Sequence, residues 1–282
     1  MRFKNLIMAL VIGSTALAQT KTKPEGYDTL RYAGYIKAAY SFGLEHPRYQ
    51  LYFDSALMIQ PHNAFLWQQK GMALFKMKKY EAGLPFLDSA VKYKPTYIDY
   101  RAFMKCIFQK NYSGAIIDFR EASYIKGNSV VMDHSYDFYI GLCYLQLNKP
   151  SIAIDYFAKS VQTSKGRIGS GHYLEYMYWG IALMEMEHYL EAIDKFNISL
   201  TFYSHLPEGS YYKARCIEFS KAKEGITPEV TQTVLALYQQ GLDDYKAGYT
   251  INEDNAIYEA YPYQVPEKHF TRAIKELTVI KK

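Results

Sequence analysis

Apolar and polar positions alternate along this chain with the period of a helix, and the alternation itself recurs. "GMALFKMKKYEAG" (Gly71–Gly83), "GLCYLQLNKPSIA" (Gly141–Ala153) and "GIALMEMEHYLEA" (Gly180–Ala192) each open on a glycine and carry glycine or alanine twelve positions later. A second block follows the same rhythm. "YFDSALMIQP" and "FLDSAVKYKP" end at Pro61 and Pro95, 34 residues apart; "DFREASYIKG", "YFAKSVQTSK" and "KFNISLTFYS" end at Gly127, Lys165 and Ser204. A small residue (Ala56, Ala90, Ala122, Ser160 or Ser199) holds one place in every copy. A period of about 34 residues is the length of one helix–turn–helix unit. The later intervals are 32, 38 and 39 residues, and the extra residues fall in Gly127–His134 and Ser164–Gly171, where loops between units are expected.

The residue types fit that reading. Glycine inside a helix costs about 0.5–1 kcal/mol relative to alanine, so Gly71, Gly141 and Gly180 need a packing reason. Close approach of the two helices of a unit supplies it, and the small residue twelve positions on meets the same contact. Beyond Ser204 the rhythm fades. "SYYKARCIEFSKAKEG" (Ser210–Gly225) reads as a helix. A second helix starts from Thr227 as N-cap with Pro228 in its first turn and ends near Gly248. The polar, tyrosine-rich Tyr249–Val265 reads as loop with one helical turn. A last helix opens at Pro266 and Glu267, with Phe270, Ala273, Ile274 and Leu277 on one stripe.

These blocks resemble the tetratricopeptide repeat (TPR) family. Trp67, Gly71 and Leu74 match the first helix of its pattern, and Gly83, Leu87, Ala90 and Pro95 complete that copy. Asp137, Gly141, Tyr144, Ala153, Phe157 and Ser160 give another, and Tyr176, Gly180, Leu183, Ala192, Phe196 and Ser199 a third. Weaker copies contain Tyr49, Phe53, Ala56 and Pro61, then Ala115, Phe119 and Ala122, where Phe103 stands in the glycine position. The resemblance implies an all-α fold: a helix–turn–helix TPR solenoid, wound as a right-handed superhelix, with a helical C-terminal cap. The expected organisation is a signal peptide over 1–18, an array of about five units over 27–204, and a degenerate repeat with capping helices over 205–282.

Composition narrows the class. The chain has 282 residues, 49% of them hydrophobic and 29 of them tyrosine, enough for a sizeable core. Arg2 and Lys4, the apolar "LIMALVIG" and the closing "ALA" (Ala16–Ala18) have the layout of a secretory signal cut before Gln19. Removing it lowers the formal charge from +5 to +3 (31 basic against 28 acidic). The basic residues are scattered among acidic ones, so no nucleic-acid track is expected. No other apolar run approaches the ~20 residues of a membrane span. The expected location is periplasmic or secreted. Cys106, Cys143 and Cys216 are odd in number and far apart; they are read as small buried hydrophobes rather than a disulfide or metal framework.

No catalytic constellation emerges. The seven histidines, His46, His62, His134, His172, His188, His205 and His269, show no metal-ligand spacing and are read as solvated residues of turns and helix ends. "GRIGSG" (Gly166–Gly171) lacks the Lys-Ser/Thr of a phosphate loop and is read as a connecting loop. Neither metal nor cofactor is expected, and no enzyme. In the family, the first helix of each unit lines a concave groove that holds partners. The resemblance puts Phe65, Gln68, Met72 and Phe75 there, then Tyr97, Tyr100, Met104 and Ile107. Phe138, Leu142 and Leu145 follow, and then Leu174, Met177, Ile181 and Met184. The Lys/Asn pair with which some TPR grooves grip a C-terminal carboxylate is replaced by Gln68/Met72, Tyr100/Met104, Phe138/Leu142 and Met177/Ile181. Two expectations compete for this stripe: an open groove for a partner segment, or a face covered by the superhelix itself or by the chain's own tail. The tyrosines of the tail (Tyr249, Tyr258, Tyr261, Tyr263) are expected to dock on the last repeat. The functional expectation is a non-catalytic protein–protein interaction scaffold or adaptor in a bacterial cell envelope. The alternative is a glycan- or peptide-binding module feeding an envelope transporter or enzyme.

Overall fold

A computed structural model describes residues 27–222, 225 and 227–279; the signal segment expected over 1–18 lies outside them. Among the described residues, six successive helix pairs are followed by one further helix. The pairs are α1 (Tyr27–Tyr40) with α2 (Pro47–Ile59), α3 (Ala64–Lys76) with α4 (Tyr80–Tyr93), and α5 (Ile98–Ile107) with α6 (Tyr112–Lys126). Next come α7 (Tyr136–Gln146) with α8 (Pro150–Ile168), α9 (Tyr173–Glu185) with α10 (Tyr189–Phe202), and α11 (Pro207–Lys221) with α12 (Pro228–Lys246); α13 (Glu267–Val279) comes last. Each pair packs on itself and on the next, and the first helices α5, α7, α9 and α11 also touch one another in turn, forming one inner wall.

Three of the pairs, α3–α4, α7–α8 and α9–α10, are joined the same way. A turn residue in the left-handed region separates the two helices: Lys78 (φ 61°), Asn148 (φ 56°) and Glu187 (φ 62°). One backbone bond closes each turn: Lys79 N to Leu74 O (2.8 Å), Lys149 N to Tyr144 O (2.9 Å), and His188 N to Leu183 O (2.9 Å). The glycines then set the spacing. A Cβ added to Gly71 would stand 2.6 Å from Leu87 Cδ2, and one on Gly180 would stand 2.9 Å from the Phe196 ring. Phe103, which replaces the glycine in the third unit, is fully buried and turns its ring edge-on to Tyr139 of the next unit at 5.5 Å.

Both insertions are structured: one adds a hairpin and the other lengthens a helix. Gly127–His134 folds into a two-residue-strand hairpin, Val130–Val131 with His134–Ser135, around Met132 (φ 45°) and Asp133 (φ 72°). Ser164–Ile168 continues α8, which ends where Gly169 adopts φ 80°. At the far end α13 lays Phe270 against Gly241 of α12, where an added Cβ would stand 2.5 Å from Phe270 Cε1. Cys106 and Cys143, far apart in sequence, are in fact neighbours: 37 residues is one unit of this array, and their sulfurs lie 3.4 Å apart between α5 and α7. Burial pushes the Cys143 thiol up, so it is a packing group.

Gly34 is exposed within α1, and a Cβ added there would meet no heavy atom within 4 Å. Gly34→Ala is therefore expected to raise stability by about 0.5–1 kcal/mol, and Gly180→Val to lower it by about 1–3 kcal/mol through overpacking against Phe196. Urea unfolding of both variants checks the opposite signs.

Candidate functional site

The inner wall collects the residues expected in the groove, but they do not line an open channel. Gln68, Phe75, Met104, Phe138, Leu142, Leu145, Met177 and Ile181 are buried, as are Ile107 and Leu174. Phe65, Met72, Tyr97, Tyr100 and Met184 are half-buried. The open-groove expectation is thus corrected along most of the wall. Part of that cover comes from the helices themselves, as where Phe75 packs on Gly83, Tyr80 and Phe108, and the segment 249–265 is laid against the wall as well.

That segment leaves α12 after Gly248, whose φ of 89° suits only glycine comfortably. It runs out along the inner wall and returns. Tyr249 stacks on His205 at 4.6 Å. Asn252 N donates to Tyr173 Oη at 2.8 Å, and Glu253 Oε1 meets His134 Nε2 at 3.1 Å. The far point is the second unit. There Tyr80 Oη donates to Glu259 Oε2 at 2.7 Å, and Lys76 Nζ sits 4.2 Å from the Tyr258 ring centroid. On the way back Lys110 Nζ donates to Ala260 O (2.7 Å), Tyr178 Oη to Pro262 O (2.9 Å) and Tyr212 Oη to Tyr263 O (3.0 Å). Ile251, Asn255, Tyr261 and Val265 are buried in the process. The tyrosine-rich tail therefore spans units two to six rather than docking on the last repeat alone.

Most of what holds the segment is side chain to backbone. Lys110, Tyr178 and Tyr212 each donate to a main-chain carbonyl, and Tyr173 accepts from a main-chain N–H. Such bonds hold a chain by its backbone, with little regard to its side chains. Burial, and then the bond to Glu259, raise the Tyr80 hydroxyl to about 12. Burial also lowers the Lys110 ammonium. Tyr178 and Tyr212 are raised too, first by burial, so these hydroxyls are neutral donors across the physiological range.

A second cluster was hidden in the linear order. His134, His172 and Glu253 bring three potential ligand atoms within 4.8 Å of one another. His134, read from sequence as a solvated turn residue, is 3% exposed and stacks on Phe138 at 4.1 Å. His172 is the N-cap of α9, with Nδ1 accepting from Leu174 N at 3.4 Å. Its backbone N–H donates to Glu175 Oε2 (2.9 Å), and the other oxygen of that buried carboxylate accepts from Ser160 and Ser164. The two imidazoles stand edge to face at 4.8 Å. Burial first, and His134 second, lower the His172 pKa to about 4. The signal that could have found the pair is the period itself: 38 positions, the length of one unit at that point, separate them.

Glu208, at the start of α11, receives the returning end of the segment. Its Oε1 accepts weakly from Val265 N at 3.4 Å, and its Oε2 has no partner among the described residues. Burial raises its carboxyl to about 7.

The tetratricopeptide repeat family model matches residues 66–97, the unit of α3 and α4. No curated protein matches the sequence. Among solved structures, a tetratricopeptide repeat protein from Parabacteroides merdae is similar with a TM-score of 0.56 at 15% identity, covering 88% of this chain and 99% of that one. Pseudomonas aeruginosa pilF gives 0.56 at 15% identity over 79% and 99%. Yeast Tom70 gives 0.57 at 13% identity over 92% of this chain and 51% of its own. At these identities the likeness is one of fold: the chain is a TPR-type solenoid. No described helix is long and apolar enough to cross a membrane.

Two outcomes follow for the segment. Tyr261, 2% exposed, is its deepest ring; Tyr261→Ala is expected to cost about 3 kcal/mol of docking and to speed proteolysis within 249–265 while circular dichroism keeps the helical signal. Unchanged cleavage would show that this ring does not hold the segment. Glu208 supplies the pH dependence. An unfolded Glu releases its proton near pH ~4.3, whereas the folded one retains it until pH about 7. Stability from this group is therefore complete below about pH 4 and falls by about 3 kcal/mol as pH rises to about 7. Glu208→Gln should melt higher than the parent at about pH 8 and equally at about pH 4; an equal gain at both would clear the charge of responsibility.

Proposed function

We propose that this protein is a non-catalytic scaffold for protein–protein interaction in the cell envelope, and that it holds a partner's extended segment on the inner wall where its own residues 249–265 lie. The observation that carries the reading is the set of wall donors and acceptors, Lys110, Tyr173, Tyr178 and Tyr212, spent on backbone atoms of that segment. A foreign peptide backbone can satisfy the same groups. The half-buried Phe65 and Met72 on α3 lie in the unit of the segment's far point and add to the surface there. An extracytoplasmic site of action is supported by the signal layout of residues 1–18 and by nothing else in the chain. No cofactor enters this reading.

A synthetic peptide of residues 249–265 provides the test. Added in trans to the Tyr261→Ala variant, it is expected to bind saturably and to compete with a partner recovered from envelope extracts. Peptide binding equally strong to the parent chain, or partner recovery indifferent to the peptide, counts against the wall as the binding face. Mass spectrometry of the native protein checks location: a mature start at Gln19 is expected, and an intact N-terminus overturns it.

A further inference from the structure

We propose that His134, His172 and Glu253 bind a divalent transition-metal ion of the zinc class, and that the ion clamps the C-terminal segment onto the fourth and fifth units. Three separate pieces of chain converge here: the strand of the hairpin, the N-cap of α9, and the outgoing arm of the segment. Two imidazoles and one carboxylate form a zinc-type ligand set with room for water as the fourth partner.

The arrangement exceeds what structure alone asks for. A hydrogen bond between Glu253 and His134 needs one histidine, and capping α9 is done as well or better by Ser, Thr, Asn or Asp. Yet a second imidazole stands edge to face against the first, with ring centroids 4.8 Å apart. Both rings are rigidly mounted. His134 directly follows the Met132–Asp133 turn and precedes Ser135, whose Oγ caps α7 by accepting from Phe138 N. The backbone of His172 is tied to the buried Glu175. Asp133, exposed beside the cluster, adds negative charge. Zinc bonds of about 2.0–2.2 Å place tetrahedral ligand atoms roughly 3.4 Å apart; His134 Nε2 and Glu253 Oε1 already stand at 3.1 Å, and all three candidate atoms lie within 4.8 Å of one another. The side chains of His134 and Glu253 are only 2% and 10% exposed, so an ion bridging them locks the segment in place.

The test uses the untagged full chain, stripped of metal and titrated with zinc sulfate. We expect one equivalent of zinc to bind, cobalt to show tetrahedral visible absorption, and zinc to slow proteolysis within 249–265. His172→Asn keeps the cap and removes the imidazole; Glu253→Gln keeps the shape and removes the charge. Each should weaken zinc binding at least tenfold and abolish the protection, with metal-free melting curves reporting that both variants fold. Absence of stoichiometric binding overturns the proposal. So does undiminished binding by the two variants, which assigns the metal to other histidines, or binding without protection, which removes the clamp. No partner protein is present in this measurement, so its failure leaves the scaffold reading untouched.

Discussion

Each helix pair buries one face of itself and offers another, and the offered inner faces add up to a wall of aromatic, methionine and aliphatic side chains. Such a wall cannot be left in water without cost: apolar area is worth about 25 cal/mol per Å² when covered. Everything distinctive about the C-terminal third follows from that constraint. The connection from Lys246 to Glu267 is long for two packed helices and has no helix of its own; such a connection is unusual in a compact domain and is most often functional. Here α12 and α13 are already neighbours, so a short turn would have joined them. The added length travels out to the second unit and back.

The cover is polar by composition and attaches by its backbone. That explains why its apolar contribution is limited to a few anchors, Ile251, Tyr261 and Val265, while hydroxyls and amines of the wall do the rest. A segment rich in leucine would have fused with the core irreversibly. A segment held by tyrosine hydroxyls and a lysine, each bond worth about 0.5–1.5 kcal/mol net, stays separable from the solenoid that carries it.

The solenoid was legible in the sequence because its rules are local. The glycine at Gly71, Gly141 and Gly180, the turn at Lys78, Asn148 and Glu187, and the small residue from Ala56 to Ser199 recur at a readable interval. The inner-face positions, from Phe65 to Met184, could be counted from the same register. That they would be covered was one of two expectations, but the contacts that the tail makes could not be read, because it is out of period and its partners lie up to 179 residues away, as between Tyr80 and Glu259. The period carries more than the helices. In a solenoid, residues one unit apart become neighbours, and this is why Cys106 meets Cys143 and His134 meets His172. A search for chemistry-bearing residues at the interval of the repeat, rather than at the few-residue spacings of metal motifs, finds both pairs. Glu253 alone needed the structure, since nothing periodic leads to it.

The covering segment is tied at both ends, and that shapes any competition for the wall. Its ends are fixed by α12 and α13, with Gly248 as a pivot on one side and Pro266 on the other. On the proposed function it would swing out as a flap while both helices stay folded. A tethered occupant acts at an effective concentration on the order of millimolar for a short flexible link. On the proposed function, a partner segment must therefore outbind a ligand that never leaves, which selects for partners with many contacts over weak, generic peptides. An ion shared by His134, His172 and Glu253 would add to the closed state alone, because the open flap carries away one of its three ligands. Metal occupancy and partner binding would then oppose each other through the position of one loop, and by linkage each must weaken the other by the same factor.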